Sequence, residues 1–172
     1  MGRFKILLRT LRREMRTRYY TWRALSVVGN VRGPVFCNFR CVFTENTHLG
    51  VNVHFNGMLI EGVGEVYIGS NFHSGKNCKI ITSYHNYRTG EKLPYDETLV
   101  VRKTSIGDNV WLGHDVTIVG GVDIGEGAVI QVGAVVTSSL PPLAVAGGNP
   151  ARVFAWRDAA RYYELKKKGC FH

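Results

Sequence analysis

Residues 106–141 read IGDNVW LGHDVT IVGGVD IGEGAV IQVGAV VTSSLP, six blocks of six. An aliphatic residue opens each block: Ile106, Leu112, Ile118, Ile124, Ile130 and Val136. A second column, four places on, holds Val110, Val116, Val122, Ala128 and Ala134. A helix of 3.6 residues per turn would scatter such a column around its axis. A long sheet alternating with period two has no reason to repeat at six. The pattern fits short parallel strands joined by tight turns, each strand sending one aliphatic side chain inward onto its equivalent in the next coil. Gly, Asn and Asp between the strands suit turns that need positive φ. Upstream, Leu49-Gly-Val-Asn-Val and Ile68-Gly-Ser-Asn-Phe begin similar runs. The expected fold is an all-β solenoid.

The rest of the composition agrees. With 172 residues, 45% hydrophobic and 20% charged, the chain can bury a core and is not a disordered tail. No apolar run approaches the roughly 18 residues that cross a membrane. Twenty glycines without a three-residue period exclude collagen and point to a turn-rich repeat. The formal charge of +9 is uneven. Residues 1–23 carry Arg3, Lys5, Arg9, Arg12, Arg13, Arg16, Arg18 and Arg23 against Glu14, and 151–172 carry six bases against two acids. The middle holds eight bases and ten acids, which argues against nucleic-acid binding.

The stretch from Ile106 through Ala146-Gly-Gly-Asn-Pro-Ala-Arg152 resembles the endings of galactoside, maltose, serine and xenobiotic acetyltransferases. These are hexapeptide-repeat acyltransferases with a left-handed parallel β-helix, and the resemblance covers about residues 28–155. It implies three hexads per coil, acetyl-coenzyme A as donor, and a homotrimer. The phase breaks between Ile80 and Ile106, where SYHNYRTGEKLPYDETLVVRKT interrupts the columns. This segment, about 83–104, is expected to be an extruded loop, the kind of feature on which recognition and chemistry sit. In the resembling enzymes it reaches toward a neighbouring subunit.

Acetyl transfer to a hydroxyl needs a base for the acceptor proton and a donor for the oxyanion. His85 opens the loop and precedes Trp111 by 26 residues, as the catalytic histidine of the galactoside and maltose enzymes precedes their Trp-Ile/Leu-Gly motif. The resemblance makes it the general base. Asn56, 29 residues earlier, matches an acceptor-binding asparagine, with His54 beside it. Gly113 and His114 fall near the thioester, and His114 is a second candidate for the base. Gly133 and Ala134 would let the pantetheine arm approach closely. Thr137, Ser138 and Asn149 fall at coenzyme positions, and Arg152 is placed to meet the nucleotide phosphates. No His-x-x-x-x-His pair occurs, so no metal site is expected.

The chain divides into a basic amphipathic helix over 1–23, a β-helix over 24–153 and a C-terminal helix and tail over 154–172. Phe4, Leu7, Leu8, Leu11, Met15 and Tyr19 recur at helical spacing. This stripe would pack on the solenoid or a sister subunit, or rest on an anionic membrane surface. Residues 154–168 are read as a helix capping the open end of the coil. Cys37, Cys41, Cys78 and Cys170 show no Cys-x-x-Cys pair and read as buried free thiols. Arg9 breaks Ile6-Leu7-Leu8 too early for a signal-peptide core, so a cytoplasmic protein is expected. The expected function is O-acetylation of a sugar hydroxyl in surface-polysaccharide assembly. N-acetylation of an amino sugar or antibiotic, and a non-catalytic scaffold, are the alternatives.

Overall fold

The computed structural model describes residues 2–172, with the side chains of 2–4, including Phe4, outside the described residues. The chain winds into a parallel β-solenoid with three faces. The first face stacks Asn30–Val31, Thr47–Leu49, Val66–Ile68, Thr104–Ile106 and Asp123–Ile124. The second stacks six parallel strands, Val35–Cys37, Val53–Phe55, His73–Ser74, Trp111–Leu112, Val129–Ile130 and Ala144–Gly147. The third stacks Met58–Glu61, Cys78–Ile81, Thr117–Val119 and Val135–Val136.

The six-residue period becomes geometry here. Ile106 pairs with Ile124, Leu112 with Ile130 and Ile118 with Val136, so each face receives every third hexad. All six column residues are buried, as are Val110, Val116, Val122, Ala128 and Ala134 at the strand entries. Phe43, Phe55 and Phe72 fill the early coils. His54 pairs with His73 rather than with a residue 18 away, so one extra residue enters that coil.

At several corners the coils leave no room for a side chain. A Cβ on Gly107 would lie 2.7 Å from the backbone nitrogen of Glu126 in the next coil. Where the corner is left-handed, Asn52, Asn71 and Asn109 take φ of 57°, 54° and 58°. Their amides form a ladder, Asn52 Nδ2 donating to Asn71 Oδ1 at 2.9 Å and Asn71 Nδ2 to Asn109 Oδ1 at 3.0 Å. Asn tolerates this backbone and meets its own polar needs from the coil above.

The interruption is a hairpin. Ser83–His85 pairs antiparallel with Leu99–Val101, and Arg102 N–H returns to Thr82 O at 2.7 Å. The coil then resumes in phase, Thr117 pairing with Lys79.

Both ends of the solenoid are covered, though not as the residue pattern suggests. Helix α1 (Gly2–Leu25) lies over the edge strand Val35–Cys37. Thr21 Oγ1 accepts from Cys37 N–H at 2.9 Å, and Ala24 is buried. Only the turns that carry Thr17, Tyr20, Thr21 and Ala24 face the coil. The apolar stripe Leu7, Leu8, Leu11, Met15, Tyr19 and Trp22 lies on the opposite side of the helix, with Met15 70% and Trp22 72% exposed.

At the other end, residues 154–168 are not one helix. Arg152–Trp156 is a strand, antiparallel to Ala144–Gly147, whose free edge it pairs. Its alternating half-buried and exposed side chains are a strand pattern. Helix α2 (Ala159–Lys167) follows, its first turn capped by Asp158 Oδ1 accepting from Arg161 N–H at 2.9 Å. It lies along the flank, not across the end. Cys170 also departs from expectation: it is exposed, whereas Cys37, Cys41 and Cys78 are buried free thiols.

Stability should follow the columns. Ile118→Ala is expected to destabilise by about 2–5 kcal/mol, the range for emptying a buried aliphatic site. Lys79→Ala, on the outer side of the same face, should stay within about 0.5 kcal/mol. Denaturant unfolding checks both.

Candidate active site

The corner between the second and third faces gathers most of the expected residues. Asn38, Asn56, Gly75, Gly113, Gln131 and Gly147 open it in successive coils. Asn56 Nδ2 donates to Ser74 O at 2.8 Å, and its Oδ1 accepts from Asn38 Nδ2 at 3.1 Å. One N–H and one lone pair of the amide remain for an acceptor.

His114 sits farther along the same corner, exposed, its Nδ1 accepting from Lys76 N–H at 2.9 Å. While that bond holds, the proton of the neutral ring is on Nε2, so that nitrogen donates and does not accept. It suits an oxyanion better than a base. Gly133 is exposed at φ 71°, with open space where a Cβ would point. Asn149 and Arg152 lie beyond it, also exposed, and Arg152 spends one Nη1 on Ala151 O at 3.0 Å. Ala134 is different: its methyl is fully buried in the core column, so only its backbone borders this corner.

His85 is elsewhere. It stands on the hairpin that leaves the corner between the third and first faces, exposed, stacked on Tyr95 with ring centroids 3.9 Å apart. Among the described residues no side chain bonds its ring nitrogens. Thr137 and Ser138 are exposed at that same corner. The width of the third face therefore separates His85, Thr137 and Ser138 from Asn56, His114 and Asn149. One chain brings together only part of the expected site.

His54 is occupied. Its ring is stacked between Phe36 at 4.5 Å and His73 at 4.4 Å, and Nε2 meets Asn52 Oδ1 at 3.0 Å. Both ring faces are covered, which removes it from an acceptor pocket beside Asn56. A third imidazole arrives from the tail: His172 stands edge-on to His73 at 4.7 Å and to His54 at 5.9 Å. Burial lowers the pKa of His54, and burial together with its histidine neighbours pushes His73 down to about 4. Neither His73 nor His172 is marked by sequence spacing. Mapping residues onto coils would have found the first, since it takes the outward position next to His54.

The tail reaches this place along a polar seam. Tyr162 Oη donates to Glu126 Oε1 at 2.7 Å and accepts from Asn109 Nδ2 at 2.8 Å, extending the asparagine ladder into α2. Lys166 pairs with the same carboxylate. Between tail and solenoid lies a cleft bounded by His73, Trp111, Tyr162, Leu165, Phe171 and His172.

Residues 103–138 match the family model described as bacterial transferase hexapeptide (six repeats). The galactoside O-acetyltransferase of Escherichia coli (strain K12) is 32% identical over 138 residues, 79% of this chain and 65% of that protein. The solved maltose O-acetyltransferase of Clostridium difficile 630 superposes with a TM-score of 0.64 at 33% identity, over 77% of this chain and 70% of that one. A galactoside acetyltransferase in complex with coenzyme A gives 0.62 at 30% identity, over 80% and 68%. The chain belongs to the hexapeptide-repeat acetyltransferase family. It spans 52–65% of the length of the first four curated relatives it matches.

The tail should depend on the seam. Tyr162→Phe removes one hydroxyl that both accepts and donates, leaving Asn109 and Glu126 without that partner. A loss of about 1–3 kcal/mol is expected locally. Hydrogen exchange should read it as faster exchange over 159–172, with the central coils unchanged.

Proposed function

We propose that the chain is an acetyl-coenzyme A-dependent O-acetyltransferase whose acceptor is a sugar hydroxyl, working as a closed homotrimer. The observation that carries this reading is the file of Asn56, His114, Gly133 and Asn149 along one corner, with His85 projecting from the next. A neighbouring copy related by rotation can set its hairpin against that corner, and so supply what a single chain lacks.

The chemistry follows from that pairing. Neutral His85 takes the acceptor proton as the hydroxyl oxygen attacks the thioester carbonyl. The tetrahedral oxyanion meets His114 Nε2–H and the corner backbone, whose donors are fixed in advance. The carbon–sulfur bond then breaks, and the thiolate of coenzyme A leaves with the proton His85 returns. Attack is direct, because among the described residues no serine or cysteine has an activating base. Gly133 admits the pantetheine arm, Thr137 and Ser138 border the coenzyme, and the free part of the Arg152 fork takes phosphate. Asn56 orients the hydroxyl. An amine acceptor would use the same steps, and acetylation of an amino sugar or antibiotic is the second reading. A glycan of surface-polysaccharide assembly suits the exposed stripe of α1. That stripe, flanked by Lys5, Arg9, Arg12 and Arg16, matches the apolar face and basic edge of a helix lying on an anionic membrane. That match supports the reading of a cytoplasmic enzyme working at the inner membrane surface. No helix of the described residues is long and apolar enough to cross a membrane.

His85→Ala should lower kcat by roughly 10²–10⁴-fold and leave coenzyme binding by calorimetry near wild type. Co-expressed His85→Ala and Asn56→Ala chains should regain part of the activity, since mixed trimers contain intact composite sites. A monomer of 19.2 kDa in light scattering, or no complementation, would overturn the shared site.

For α1, co-sedimentation is expected with phosphatidylglycerol vesicles and not with phosphatidylcholine vesicles, fading as salt rises. The double change Leu11→Glu and Met15→Glu should abolish it. If that variant instead dissociates the trimer, the stripe belongs between copies.

A further inference from the structure

The three histidines at the tail form a constellation that acetyl transfer does not use. One ring nitrogen of each of His54, His73 and His172 lies within 4.8 Å of the other two. These rings come from two adjacent coils and from a segment about 100 residues farther along the chain, so their meeting is made by the tertiary fold. No carboxylate belongs to the group, and the donors are all imidazole, the ligand type that suits zinc and its borderline neighbours over magnesium or calcium.

The surroundings are arranged around these rings. Asn52 Nδ2 donates to Asn71 Oδ1 and, at 2.9 Å, to the backbone oxygen of His172. Its Oδ1 is therefore the acceptor facing His54, and Nε2 of that ring carries the proton. One asparagine thus holds the tautomer of one ring and the backbone of another, as a metal's outer-shell partner does. His73 Nε2 is buried and, among the described residues, has no hydrogen-bond partner. A buried polar nitrogen left unpaired is costly and marks a place for a ligand.

We propose that His54, His73 and His172 bind a divalent transition-metal ion of the zinc class, which fastens the C-terminal tail to the second face of the solenoid. Zinc sits about 2.0–2.1 Å from an imidazole nitrogen, so binding draws the three rings closer than they stand here. The exposed His172 moves inward, and His54 and His73 turn out of their parallel stack so that their nitrogens converge. Three protein ligands leave a fourth position for water. The ion stands apart from His85, and the proposal goes beyond acetyl transfer without resting on it.

The test uses untagged full-length protein, freed of metal by a chelator. Titration with zinc chloride should show one ion per chain with micromolar or tighter affinity, and cobalt(II) chloride should give visible bands of low coordination number. His172→Ala removes an exposed side chain and should fold normally. Its zinc affinity should fall by at least the roughly 10–100-fold that an outer-shell change costs. His73→Ala should do the same, and zinc should slow hydrogen exchange over 168–172 in wild type only. Absence of saturable binding below millimolar zinc would overturn the site. So would wild-type affinity in His172→Ala. These readouts need no acceptor or coenzyme, so their failure leaves the acetyltransferase reading untouched, and the converse holds.

Discussion

The close approach of one coil to the next at the corners governs this molecule. Backbone must pass backbone at strand spacing while also turning, and a single methyl on Gly107 would already strike the coil above. Glycine and asparagine meet that condition most often, Asp115 and Leu143 being the other left-handed corner residues among those described. Glycine does so by lacking a side chain, and asparagine by accepting a left-handed backbone while its amide bonds the equivalent amide one coil away. The second solution has a consequence beyond turning. It runs a continuous polar seam up one corner, from Asn52 through Asn71 to Asn109, and a seam can be joined by anything that brings a hydroxyl. Tyr162 brings one, and the tail is seated by the same bonds that stabilise the corner.

A body built this way is regular along its axis and uniform around it, so specificity has to come from what departs from the repeat. Three departures occur. The hairpin at 83–101 carries His85 away from the core; the helix α1 turns an unsatisfied apolar stripe outward; and the tail carries His172 back across four coils. Each is attached at a corner or at an edge strand of the coil. In the homotrimer proposed above, a hairpin rooted at a corner would help His85 reach an acceptor across a boundary between copies.

The repeat was readable because burial and spacing coincide. Ile106, Leu112 and Ile118 face inward for the same geometric reason, and period six states it directly. The family resemblance then supplied His85 and the coenzyme positions, which periodicity alone does not carry. What stayed hidden depended on register and on long-range paths. The extra residue between His54 and His73 shifts the count by one, so the two histidines do not stand out as a stacked pair. The division of 154–168 into strand and helix turned on the unpaired edge of Ala144–Gly147, a demand made by the fold and not by local propensity. Ala134 is expected from its size to let the pantetheine arm approach, but its place in the second aliphatic column assigns its methyl to the core.

The same distinction separates the two clusters of function-bearing residues. The second corner could be assembled from spacing, because Asn56, Gly113 and Gln131 take equivalent places in their coils once the insertions are known, with His114 and Gly133 one and two residues farther on. The histidine cluster could not, because His172 owes its position to Tyr162, Lys166 and Asn52 acting over the whole height of the molecule. Side chains that gather by repetition are set by the coil. Side chains that gather by a returning segment are set by the few bonds that seat it. Properties particular to this chain, as opposed to its family, are therefore expected where the tail and the hairpin meet the coil, and not in the columns that hold it together.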